Sequence, residues 1–134
     1  EIDRHETNAL HIAAWKGCCP PLFHRILARI QDVNGVDKWG NTALMTAARN
    51  NHLDVVISLM NHPGIDLNVQ SHSNETALHR AVIHNHPAIV SQLLSDDKMD
   101  ASLKDKYNCT PLKLAIAHEK AECVTILTQH GAPE

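Results

Sequence analysis

Aromatic side chains are scarce in this chain: Trp15, Phe23, Trp39 and Tyr107 are the whole set in 134 residues. A single packed core of that size usually draws on more rings, because each one buries a large area. Long apolar runs are lacking too, the longest being a handful of residues. That excludes a bilayer-spanning helix, which needs about 20 consecutive apolar residues. With 5 Gly and 6 Pro there is neither a collagen-like period nor low complexity. Cysteine is sparse, and Cys18, Cys19, Cys109 and Cys123 form no C-x-x-C pair. The spacing fits reduced thiols in a cytoplasmic protein better than the dense disulfide framework of a secreted domain. Neither sign of charge dominates: 12 Lys and Arg stand against 15 Asp and Glu, a net −3. Nothing global therefore attracts nucleic acid. The hydrophobic share of 43% is ordinary for a folded domain and excludes disorder.

What the chain has in place of a large core is a period. Four segments align: N-A-L-H-I-A-A from Asn8, T-A-L-M-T-A-A from Thr42, T-A-L-H-R-A-V from Thr76 and T-P-L-K-L-A-I from Thr110. Their leucines, Leu10, Leu44, Leu78 and Leu112, are each 34 apart. Ala13, Ala47, Ala81 and Ala115 keep the phase, as do Asp3, Asp37, Ser71 and Asp105. A fixed period of this length is the mark of a stacked repeat array. In each unit Asn or Thr is a helix N-cap, followed by Ala or Pro as the first helical residue. A second apolar helix follows, as in Val55, Val56, Leu59 and Met60 or Ile89, Val90, Leu93 and Leu94. Polar, turn-rich stretches such as Asp37-Lys38-Trp39-Gly40-Asn41 join the units. Neither helix buries its apolar face alone, so stacking must supply the core.

These residues resemble the ankyrin repeat, with its D-x-x-G-x-T-P-L-H-x-A-A start, G-H turn and V-V-x-L-L-L second helix. The resemblance implies an all-α solenoid of helix-turn-helix units with β-hairpin-like loops. Repeat boundaries fall near 3–36, 37–70, 71–104 and 105–134. The hairpin glycine survives only at Gly40 and gives way to Glu6, Asn74 and Asn108. The turn glycine survives at Gly17 and becomes Asn51, Asn85 and Glu119. Asn tolerates positive φ better than Glu does. Cys123, Val124, Ile126 and Leu127 have the look of an interior repeat, so the expectation is a segment of a longer protein.

Catalytic constellations are lacking. Of 11 His, His11 and His79 occupy the third helical position, where the family's histidine bonds back to the cap. His84 with His86, and His72 with His79, have no third ligand at metal-site spacing. Cys109 has no orienting third group beside a base. Phosphate-binding and nucleophile-elbow motifs are missing as well. The chain is therefore expected to be non-catalytic, with no cofactor, metal or small-molecule substrate.

By the resemblance, ligands are read by hairpin tips and the exposed end of the first helix, which form a concave face. The matching tip positions include Arg4, His5, Lys38, Trp39, Asn41, His72, Glu75, Lys106 and Tyr107. The helix-end positions include Trp15, Lys16, Arg49, Asn50 and His84. Trp15, Trp39 and Tyr107 all fall on this set, with the bases Arg4, Lys16, Lys38, Arg49 and Lys106 against the single acid Glu75. Aromatics and Arg dominate interface hot spots, and a basic strip on an acidic chain fits an acidic partner segment. The expected role is protein recognition, with no nucleic acid and no membrane contact. Two other settings fit the same residues: a structural or regulatory arm of a larger enzyme or channel, and a secreted bacterial effector acting in host cytosol. Finally, Asp32-Val33-Asn34 and Asp66-Leu67-Asn68 are similar to ankyrin targets of asparaginyl hydroxylase. In structural terms Asn34 and Asn68 are equally suited to bond the inter-repeat turn.

Overall fold

The computed structural model describes residues 14, 25, 28, 33–37, 39–62 and 64–132. Among them six helices of two to three turns run in three pairs: α1 (Ala43–Arg49) with α2 (Leu53–Met60), α3 (Ala77–Ile83) with α4 (Pro87–Leu94), and α5 (Pro111–Ala117) with α6 (Ala121–Gln129). No strand occurs among the described residues, and Ala14, Arg25 and Ala28 are helical as well.

Local chemistry sets the start and stop of each first helix. The hydroxyls of Thr42, Thr76 and Thr110 accept from the backbone N–H of Met45, His79 and Lys113 at 3.3, 3.3 and 3.2 Å. Pro111 enters as the first residue of α5, where its missing N–H costs nothing. Each first helix ends on a residue with left-handed backbone: Asn51 at φ 62°, Asn85 at 57° and Glu119 at 57°. The next N–H then turns back to the helix, His52 to Ala47 O at 3.0 Å, His86 to Ala81 O at 2.9 Å and Lys120 to Ala115 O at 2.9 Å. This C-terminal cap satisfies a carbonyl that the helix leaves open.

The pairs stack in two layers. α1, α3 and α5 pack in one row and α2, α4 and α6 in the other, with each pair also packed internally. Ala47, Ala81 and Ala115 have no exposed surface, so the first-row helices approach closely. Leu44 and Leu78, with Leu59, Leu93 and Leu127, are fully buried between repeats. Each such side chain contributes about 1.5–3 kcal/mol on burial, and among the described residues aliphatic groups of this size fill the layers with no Trp, Tyr or Phe. Tyr107 and Trp39, the described aromatics, stand outside this core.

Candidate recognition face

Three tips are built alike on the edge of the first-row helices. In the first, Asp37 N–H donates to Asn41 O and Gly40 N–H to Asp37 O, both at 3.0 Å. Ser71 with Glu75, and Asp105 with Cys109, repeat the closing bond at 3.0 Å. The Asp37 carboxylate accepts from Trp39 and Asn41 N–H at 2.9 Å, and Asp105 accepts from Tyr107 and Cys109 N–H at 2.9 and 3.0 Å. A short acidic side chain thus shapes the turn that carries the aromatic. Gly40 adopts φ 80°, and a Cβ there would sit 2.7 Å from His72 Cδ2, so the next tip lies directly over it. His72 N–H donates to Trp39 O, and Lys106 N–H to Ser73 O, each at 3.0 Å. These bonds lock Trp39, Ser73 and Tyr107 into one register. Tyr107 is 73% exposed and Trp39 59%, and Lys106 Nζ lies 5.1 Å from the Tyr107 ring centroid. That distance suits a cation–π contact.

Behind the tips, Arg80 ties two repeats together. Its Nε lies 2.9 Å from Glu75 Oε2, and its Nη2 donates to Asn41 Oδ1 at 2.8 Å. His79 performs a similar task in the interior. Its Nδ1 accepts from Thr76 N–H at 3.2 Å, which leaves the proton on Nε2 to donate to Cys109 O in the next repeat at 2.9 Å. Burial pushes the His79 pKa below its ordinary 6.5, against the raising influence of the Cys109 carbonyl, Asp105 and Glu75. At the far ends of the first-row helices, Arg49 and His84 are exposed. His86 bonds Arg49 O at 2.9 Å through Nε2, and the His84 and His86 rings stack with centroids 6.4 Å apart. Partial burial first, then the charges of Arg49, His86 and Arg80, lower the His84 pKa.

A protein-family model described as ankyrin repeats, in three copies, matches residues 10–105 and again 63–133. The chain belongs to the ankyrin-repeat family. It is similar to osteoclast-stimulating factor 1 from Sus scrofa, 43% identical over 63 residues, and to the protein of that name from Xenopus laevis at the same identity. The Mus musculus protein is 41% identical over 63 residues. Each match takes in 47% of this chain and 29% of the relative's length.

Seen as an ankyrin face, the expected residues divide into three groups. Trp39, His72, Lys106 and Tyr107 share the row of tips, and Arg49, Asn50 and His84 share the helix-end row. Asn41 and Glu75, of the same expected set, are engaged by Arg80. Arg4, His5, Trp15, Lys16 and Lys38 lie outside the described residues. Arg80 carries no such signal in the sequence: Asn41 stands 39 positions away, where only the stacking brings it, and Glu75 lies 5 positions back in the same repeat. Asn34 and Asn68 bond the inter-repeat turns. Asn34 donates to Gly64 O and accepts from Asp66 N–H, and Asn68 donates to Lys98 O and accepts from Asp100 N–H, all at 2.8 Å. Cys109, which its tip position suggests is exposed, is half-buried; Cys109 and Cys123 are free thiols. Burial, then the Glu122 charge, raises the Cys123 pKa. Among the described residues no group of three or more His, Cys, Asp or Glu is placed to hold a metal ion, and no helix is long and apolar enough to cross a membrane.

Proposed function

We propose that this ankyrin array recognises an acidic stretch of a partner protein through its tips and first-row helix ends. One observation carries the reading: among the described residues the two most exposed large apolar side chains, Tyr107 and Trp39, are both on the tips. Exposed rings supply rigid contact area at small entropic cost. Lys106 and Arg49 are exposed on that face, and the Glu75 carboxylate is neutralised by Arg80.

A photo-crosslinking amino acid placed at Trp39, and separately at Ser91 on the exposed side of α4, tests the face in living cells. Discrete protein adducts from position 39 and none from 91 are expected. Adducts from 91 alone, or from neither, overturn the assignment.

The hydroxylation reading of Asn34 and Asn68 stands beside this as a separate proposal, supported by the D-V-N and D-L-N contexts. Incubation with an asparaginyl hydroxylase should add one oxygen atom to peptides holding either residue, and unmodified peptides sink it.

A further inference from the structure

Of the surfaces outside the core, the row of tips has the most specific geometry. Trp39 and Tyr107 are two repeats apart, with Ser73 between them in the same register. Helices in contact lie about 8–10 Å apart, so two steps along α1, α3 and α5 place the aromatic tips about 16–20 Å from each other. Between them the surface is polar: Ser73 is half-buried and its neighbour His72 is an exposed imidazole.

This spacing selects among ligand conformations. An α-helix spans that distance only over about eleven residues, three full turns. An extended chain advances about 3.3 Å per residue and alternates its faces. Two side chains on one face are therefore an even number of residues apart. Four residues reach about 13 Å, which is short, and six reach about 20 Å, which fits. The acids nearest this path are already engaged: Asp37 and Asp105 hold their own turns, and Glu75 holds Arg80. Lys106 stands beside the Tyr107 anchor with its ammonium over the ring.

Resting on the recognition reading above, we propose that the partner segment binds extended across the tips. It carries two bulky apolar side chains six residues apart, which meet Trp39 and Tyr107, with acidic residues between them that meet Lys106. The chemistry is that of a short acidic linear motif.

Three fluorescein-labelled peptides of equal length and composition, two Leu in an Asp- and Glu-rich background, test the spacing by anisotropy against the whole chain. The Leu pair is six, five or four residues apart. The six-residue spacing should bind at least tenfold tighter than the other two. Trp39→Ala and Tyr107→Ala should each weaken it at least tenfold, and Lys106→Glu should weaken it while leaving the helical circular dichroism unchanged. Equal binding of all three peptides, or binding of none, overturns the spacing inference and leaves the recognition face to the crosslinking result. Tight binding that survives joint Trp39→Ala and Tyr107→Ala substitution overturns both.

Discussion

His79 shows how one side chain serves two repeats. It is fully buried, caps its own helix through Nδ1 and bonds the next repeat through Nε2. His79→Ala strands the Thr76 N–H and the Cys109 carbonyl, and should cost about 2–6 kcal/mol of unfolding free energy in urea, at about 1–3 kcal/mol for each buried group left unpaired. The neutral ring also makes stability pH-dependent. The unfolded chain protonates this histidine near 6.5, while the folded chain resists until a lower pH. Unfolding therefore takes up a proton in that window, so stability falls as the pH drops below about 6.5. His84 acts in the same direction. Urea midpoints at pH 7.5 and 5.5 should differ more for the native chain than for His79→Ala. Glu119 is the strained counterpart, a non-glycine residue held at φ 57°. Relief of that strain, about 1–2 kcal/mol, outweighs the added unfolded-state entropy of glycine, so Glu119→Gly should raise the melting temperature by a few degrees. The position of Glu119 in the G-H turn is legible in the sequence, as is His79 at the third helical position. The bond from His79 to Cys109 is not, because it joins residues 30 apart.

Each first-row helix is specified by its own ends, with Thr before it and a left-handed Asn or Glu after it. Helices of this length are marginal in isolation, so the loops that fix their spacing carry comparable weight. The Asn68 amide clamps the next loop with a donor and an acceptor. Asn68→Ala removes both bonds and should cost about 1–2 kcal/mol, read from the urea midpoint; a change below the error of the fit would deny the clamp. The same holds for the tips. Their sequence shows turn chemistry and an aromatic at the crest, enough to single out Trp39 and Tyr107. It does not show that Asn41 is bonded by Arg80, since that hydrogen bond depends on where the stacked backbones bring two side chains 39 residues apart.

Across the whole molecule, stability comes from contacts between like positions of successive repeats. Ala48, Val82 and Ile116 share one register; the first two have no exposed surface, and Ile116 is 48% exposed on the last helix pair. Val82→Ala should therefore cost about 2 kcal/mol, and Ile116→Ala less, although it removes more atoms. Equal losses on urea unfolding would contradict a core built from stacking alone.

The 34-residue period, the Thr caps and the small and aliphatic side chains at fixed phase determine an all-α stack, because each of these acts within a unit or its nearest neighbour. They also explain the scarcity of aromatics: layers of closely packed short helices have no large interior to fill. Stacking alone decides which polar side chains remain available. It brings Asn41 to Arg80 and sets Trp39 and Tyr107 in one register along the edge. Those outcomes depend on distances between residues far apart in the chain, which only the packed repeats define.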